Sequence, residues 1–340
     1  MNKRFLPALA LCLAVALALP GQDAPEAKLK KLETKVEELQ WELDQVRKIA
    51  EDNQFYLRLG DVAVVDKVIL TGRPNPRGAE RYGIANDRHP MRIYCYTFVP
   101  KSIDKGKRHP AVVLTHGGVH GDFGTYHVHL VREMVERGYI VVAPEYRGST
   151  GYGRGMYESI DYGGLENDDV VTCRDWAVEE LPIDPKRVAA VGWSHGGMIS
   201  LMVGFDHPDK FSCIYAGVPV SDLLTRLGYH EQSYTDEFAA KHHIGKTPTE
   251  AVDEYRRRSP IWNVHKLKIP LMVTSSTNDR DVNVVEVEQL MAHLKAAGKT
   301  FESHIEKDAP GGHSWDRIDT TFARKARLRM YDFLKKHLGK

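Results

Sequence analysis

Gly192-Trp193-Ser194-His195-Gly196-Gly197 stands between the apolar run Arg187-Val188-Ala189-Ala190-Val191 and the apolar segment Met198-Ile199-Ser200-Leu201-Met202-Val203. A β-type run, a glycine-flanked turn holding one serine and a helix-type run make the pattern G-x-S-x-G of a nucleophile elbow. The chemistry asks for this arrangement. A serine hydroxyl attacks a carbonyl only when it is lifted clear of the backbone and its proton has somewhere to go. A sharp strand-to-helix turn lifts it at the carboxyl edge of a sheet. Small residues at Gly192 and Gly196 let strand and helix approach. The helix N-terminus behind the serine favours the negative charge of an oxyanion. The bare pattern also describes an ordinary turn, so the context carries the reading: strand before, helix after, partners downstream.

Those partners are a base and a carboxylate that orients it. In sheets with such an elbow the chain order is Ser, then Asp or Glu, then His. Residues 269–274 read as a strand that ends in Ser275-Ser276-Thr277-Asn278-Asp279-Arg280-Asp281-Val282. Asp279 is the expected orienter and Asp281 its rival. Residues 301–305 read as the next strand, followed by Pro310-Gly311-Gly312-His313-Ser314-Trp315. His313, on a glycine-rich loop, is the expected base. His304 is its rival, but it falls inside the strand. The expected oxyanion donors are two backbone N–H groups. One is the amide of His195. The other comes from the loop His116-Gly117-Gly118-Val119, with Gly118 as the donor. A plain glycine turn is the bland alternative for that loop.

The remainder of the chain frames this domain. It has 340 residues, 42% hydrophobic and 27% charged, which suits one large α/β domain with an appendage. A net charge of +1 gives no argument for a nucleic acid partner. Residues 1–20 carry Lys3 and Arg4, an apolar run from Phe5 to Leu19, and Ala16-Leu17-Ala18. That is the pattern of a signal peptide, so the expected location is secreted or periplasmic. The run is short of the about 20 residues of a membrane span, although an uncleaved anchor is the alternative. Cys12 lies in this segment. Cys95, Cys173 and Cys213 leave room for at most one internal disulfide, and no C-x-x-C pair exists.

Residues 26–59 change character. Leu29, Leu32, Val36, Leu39, Leu43 and Val46 form an a/d heptad seam, which predicts a coiled coil and a homo-oligomer through residues 29–57. The rival reading is a helix packed on its own domain. Residues 60–90 are rich in glycine and proline and read as a connecting segment. Residues 91–340 read as the catalytic domain. Strands are expected at 93–99, 111–114, 139–143, 211–216, 269–274 and 301–305, besides the elbow strand. Helices are expected at 126–137, 167–180, 284–297 and 315–338, with a less regular cap over 221–262. Alternating strands and helices predict an α/β fold with a mostly parallel sheet covered on both faces.

The sequence resembles the catalytic domain of the prolyl oligopeptidase family of serine peptidases, within the α/β-hydrolase fold. The matching pieces are His116-Gly117-Gly118, Tyr146-Arg147-Gly148-Ser149-Thr150-Gly151-Tyr152-Gly153, Asp184-Pro185-Lys186-Arg187-Val188, the elbow, Ser259-Pro260, Asn278-Asp279-Arg280-Asp281-Val282 and Gly312-His313. The family's catalytic aspartate stands three residues before a valine, which fits Asp279 and Val282 and not Asp281. The resemblance implies a serine peptidase working through Ser194, Asp279 and His313. It has departures. A β-propeller usually precedes the catalytic domain, and the stretch ahead of residue 90 is expected to hold a coiled coil instead. His195, Ser276 and Val119 replace tyrosine, glycine and proline, which are common there. A carboxylesterase acting on small or sugar-linked acyl esters is therefore the alternative to a peptidase. A non-catalytic coiled-coil scaffold is the reading from another class.

Other signals point to structure. His116, His120, His127 and His129 match no zinc spacing, so no metal and no cofactor are expected. His120 and Asp122 are expected at the pocket mouth. Arg256-Arg257-Arg258 reads as a solvated helix face, and Arg147 as structural.

Overall fold

The computed structural model describes residues 23–74, 90–104 and 106–339. The expected signal segment, Cys12 and most of the second half of the expected connecting segment lie outside them. In chain order the elements are α1 (Asp23–Leu59), β1 (Ala63–Gly72), β2 (Met91–Pro100), β3 (His109–Thr115), α2 (Val128–Glu136), β4 (Ile140–Glu145), α3 (Arg154–Tyr157), α4 (Leu165–Glu180), β5 (Ile183–Trp193) and α5 (His195–Asp206). Then come β6 (Cys213–Gly217), α6 (Leu223–Tyr229), α7 (Gln232–Ala239), α8 (Val252–Arg258), α9 (Pro260–Asn263), β7 (Leu271–Ser276), α10 (Val284–Ala296), β8 (Glu302–Glu306) and α11 (Thr321–Leu338).

The eight strands form one sheet in the order β1-β2-β4-β3-β5-β6-β7-β8. β1, β2 and β4 pair antiparallel, and every pairing from β4 through β3 to β8 is parallel. β3, β4, β6 and β7 are buried along their whole length, as strands covered on both faces must be. One face packs Val112, Leu114 and Val191 against Val131 and Met134 of α2 and Phe333 and Leu334 of α11. The other packs Val113, Val142 and Ala190 against Val170 and Ala177 of α4 and Ile199 of α5.

Several local expectations are corrected. The segment from residue 60 is more than a connector: Ala63–Gly72 is a ten-residue edge strand paired with the whole of β2. Val64 and Asp66 are exposed in its first half and Ile69 and Thr71 in its second, so the exposed side changes face midway along the strand. The last helix starts at Thr321 and not at Trp315, because the Thr320 hydroxyl caps it by accepting from the Ala323 N–H at 3.1 Å. The 221–262 segment is built of four short helices. Arg258 is not solvated: it is 4% exposed and donates to the carbonyls of Asp161 and Tyr162. Arg147 is buried and forks onto both oxygens of Asp169 at 2.7 Å, a pairing internal to the fold. Cys95, Cys173 and Cys213 are buried free thiols.

α1 presents two faces. Trp41, Lys48 and Phe55, spaced by seven, face the domain: Trp41 meets Tyr157 edge-on, and Lys48 and Phe55 are buried. The heptad seam points away from them, with Leu43 68% and Val46 61% exposed. The face that packs on the domain is thus a different one from the seam. Among the described residues no helix is long and apolar enough to cross a membrane.

Candidate active site

The carboxyl ends of the parallel strands carry the site, as expected for an open α/β sheet. β5 ends at Trp193 and α5 begins at His195, so Ser194 alone makes the turn. Its backbone sits at φ 59 and ψ −124, a region unfavourable for any residue with a side chain. The surroundings hold it there. The Ser194 N–H donates to Gly217 O at 3.0 Å, and its carbonyl accepts from Met198 N at 3.0 Å and Val220 N at 3.2 Å. A Cβ on Gly192 would lie 2.2 Å from Gly196 O, and one on Gly196 would lie 2.2 Å from Thr115 O. Only glycine permits that approach. The Trp193 indole donates to Asp316 Oδ2 at 2.8 Å, tying the elbow to the segment just beyond His313.

Asp279 and His313 meet across two strand ends. His313 Nδ1 donates to Asp279 Oδ2 at 2.7 Å. The other carboxylate oxygen, Oδ1, accepts from the backbone N–H groups of Asp281 and Val282, each at 2.9 Å. The carboxylate is therefore clamped from both sides, and its side chain is fully buried. With Nδ1 donating, Nε2 is the ring nitrogen left to take a proton. Asp281 contributes its amide while its side chain stays exposed. His304 stays on β8 and pairs with Glu306 at 2.7 Å. Left-handed backbone at Gly311 (φ 98) and Gly312 (φ 52) turns the chain so that His313 leaves the sheet edge.

Ser194, His313, Gly117 and Gly118 line one cavity of about 560 Å³. Gly117 runs against the elbow, since a Cβ there would lie 3.3 Å from that of Ser194. The Tyr146 hydroxyl, 3.0 Å from Gly118 O, braces the loop from below. His195 is the first residue of α5, so its N–H is one of the donors a helix leaves unpaired. Its ring points into the protein, stacks on Tyr162 and is held neutral, well below the usual histidine range, by burial and then by neighbouring His116. Glu166 lies 3.6 Å from that ring and is pushed up to about 7 by burial. Asp122 lines the cavity as expected; His120 faces away from it, stacked on Tyr157.

Among the cavity residues missing from the sequence reading, Arg226 and Arg317 come from the domain itself, while Arg47 and Glu51 come from α1. The α1 pair arrives because Lys48 anchors the helix beside the loop that follows β3. Its ammonium contacts Asp122 Oδ2 at 2.9 Å, Phe123 O at 3.0 Å and Glu145 Oε1 at 2.5 Å. Burial alone pushes Lys48 down, but Glu145 and Asp122 outweigh it and hold the ammonium above the usual lysine value. Glu145 answers in kind: burial pushes it up, while Lys48 and His116 hold its carboxyl well below the ordinary range. The signal was present in the sequence, since Trp41, Lys48 and Phe55 repeat every seven residues opposite the seam.

Comparison with known proteins gives a consistent result. Residues 126–340, more than half of the chain, match the family described as the prolyl oligopeptidase family. The chain is 28% identical over 233 residues to the peptidase YuxL of Bacillus subtilis, covering 67% of this chain and 34% of that protein. It is 28% identical over 234 residues to the acylamino-acid-releasing enzyme of Arabidopsis thaliana, covering 67% and 30%. The chain thus spans about a third of the length of these relatives. Among solved structures, the Pyrococcus horikoshii acylaminoacyl peptidase superposes with a TM-score of 0.66 at 21% identity, covering 84% of this chain and 43% of that one. A puromycin-hydrolyzing peptidase of Mycobacterium tuberculosis gives 0.65 at 22%, covering 80% and 39%. These structures share the α/β-hydrolase fold with the chain.

Proposed function

Since the chain belongs to the prolyl oligopeptidase family, we propose that it is a secreted serine peptidase acting on short peptides through an acyl-enzyme. The observation that carries this reading is the 2.7 Å Asp279–His313 pair opening onto the same cavity as the strained Ser194. In the proposed reaction Ser194 Oγ attacks the scissile carbonyl and His313 Nε2 takes its proton. Asp279 holds the imidazole in the productive tautomer and stabilises its charge. The amides of Gly118 and His195 receive the oxyanion. Collapse of the tetrahedral intermediate breaks the C–N bond, and His313 protonates the departing amine. A water then repeats the sequence to release the acid and restore Ser194.

Peptide is placed above ester because the named relatives act on peptides; a carboxylesterase runs the same steps. The test is a matched panel of acyl esters, N-acetyl-aminoacyl anilides and dipeptidyl anilides, with a serine-reactive covalent probe. Anilide turnover and labelling that both vanish in Ser194→Ala support a peptidase. Ester turnover alone moves the reading to an esterase. Equal absence of labelling in wild type and variant sinks catalysis and leaves the scaffold reading. Secretion rests on the pattern in residues 1–20, and the mass of the exported chain tests it.

The exposed seam of α1 supports self-association by a second copy of this chain. In a parallel pair with Val36 and Leu43 at a and Leu39 and Val46 at d, Lys28 faces Glu33 and Glu42 faces Arg47 across the interface. Sedimentation of the full chain is expected to give a dimer that Leu39→Glu dissociates; a monomeric wild type overturns it.

A further inference from the structure

We propose that His120, His242 and His243 form a zinc-class metal site that ties the oxyanion loop to the helical cap. The three side chains come from places far apart in sequence. His120 lies two residues beyond Gly118, while His242 and His243 follow α7. Their ligand nitrogens nonetheless all lie within 4.8 Å of one another.

The tautomer of His120 is set by its neighbours. Its Nδ1 lies 2.9 Å from Gly148 O, and a carbonyl only accepts, so Nδ1 carries the hydrogen. Its Nε2 then presents a lone pair, and it does so 3.0 Å from Nε2 of His243. A ring whose far N–H is bound by a backbone carbonyl is the arrangement usual for a metal-binding histidine. Two nitrogens bound at about 2.1 Å to one tetrahedral ion stand about 3.4 Å apart, so the observed spacing needs only a small opening. The ring is also locked in place, lying flat on Tyr157 with centroids 3.5 Å apart. Glu237 supplies an oxygen 3.9 Å from His243 Nε2, within reach as the fourth ligand. Three imidazoles and one carboxylate suit Zn²⁺ among the common divalent ions. His120 and His242 are partly exposed, which leaves the ion a way in.

The other convergent group, Asp279, Asp281 and His313, is engaged differently: Asp279 Oδ2 takes the His313 hydrogen at 2.7 Å. The four histidines that cluster in sequence do not form a ligand set among the described residues; only His120 takes part in one, and its partners come from the cap. Because His120 is in the same short loop as Gly118, the ion acts as a clamp that positions that loop. His120 is a positioning residue and takes no part in the reaction steps.

The test uses the full chain and Zn²⁺ alone. Purified protein is stripped with chelator, titrated with Zn²⁺ and followed by calorimetry and by metal analysis after desalting. Ser194→Ala, His120→Gln, His242→Gln and the exposed control His293→Gln are run alongside. One ion per chain is expected for wild type, Ser194→Ala and His293→Gln, with affinity lowered at least about 10-fold in His120→Gln and His242→Gln. Substituting Co²⁺ is expected to give the visible absorption of a tetrahedral nitrogen-rich site in wild type and not in either variant. Circular dichroism confirms that the two variants fold. No retained ion in wild type, or equal binding in all proteins (an adventitious ion only), overturns the proposal. Because Ser194→Ala is expected to bind normally, failure here is separate from failure of the hydrolase reading.

Discussion

Replacing Lys48 with methionine tests whether α1 is built into the domain or merely leans on it. The ammonium is the main countercharge of Glu145, whose side chain is fully buried. Methionine keeps most of the aliphatic stem, which packs where a Cβ on Gly151 would lie 2.7 Å from it. The change therefore isolates charge. Breaking a buried pair from one side costs about 3–5 kcal/mol. Glu145 retains other partners: Phe123 N–H at 3.2 Å, the Tyr152 hydroxyl at 3.1 Å and His116 Nε2 at 3.3 Å. These place the expected loss near the lower end, about 3 kcal/mol at pH 7.5. The pH dependence has a definite sign. Glu145 is held below its ordinary value, so its contribution is present above that value and is lost as pH falls through the folded one. Without Lys48 burial raises the carboxyl, so the deficit is full at high pH and shrinks as pH falls through the variant's raised value, where Glu145 takes a proton in the fold. Urea unfolding of wild type, Lys48→Met, Glu145→Gln and the double variant measures all of this. The double variant is expected to recover part of the loss, because the fully buried carboxylate is neutralised while the partly exposed Asp122 still lacks its cation. A loss under about 1 kcal/mol, or one that does not vary with pH, means the ammonium behaves as a surface ion. The docking of α1 would then have another cause.

Asp279→Asn is expected to lower kcat by about 10⁴ with the fold intact, whereas Asp281→Asn, which keeps the amide donated to Asp279, stays within a few-fold of wild type; steady-state kinetics on the best panel substrate decides. His127 is pushed down to about 3 by burial, then by His116, so it is neutral in the fold and charges on unfolding below about 6.5. Stability is accordingly full above that pH and falls by about 2 kcal/mol between pH 6.5 and 5 from this group. His127→Phe, which preserves the stack on Phe123, flattens that part of the urea-unfolding pH profile. Gly192→Ala forces a methyl to 2.2 Å from Gly196 O and is expected to cost about 1–3 kcal/mol, seen as a lowered melting temperature.

The sequence alone determined the α/β fold class and the family, because apolar runs of strand length, each ending in a loop rich in glycine or polar residues, leave few alternatives. It also placed Ser194, Asp279 and His313 at strand ends in the order that an elbow requires. Other decisions needed three dimensions. Asp279 and Asp281 look alike as letters. They differ because the chain bends so that the amides of Asp281 and Val282 clamp one and leave the other in solvent. Arg258 reads like Arg256 and Arg257, yet it lies under residues about a hundred positions earlier in the chain. The heptad seam of α1 drew attention to one face, and the domain claimed the opposite one through Lys48 and Phe55. His120 meets His242 and His243 only because β3 and the cap converge on one edge of the sheet. Local pattern reports which element a residue joins; which distant charge, ring or amide it then faces is settled by long-range packing, which no window of sequence contains.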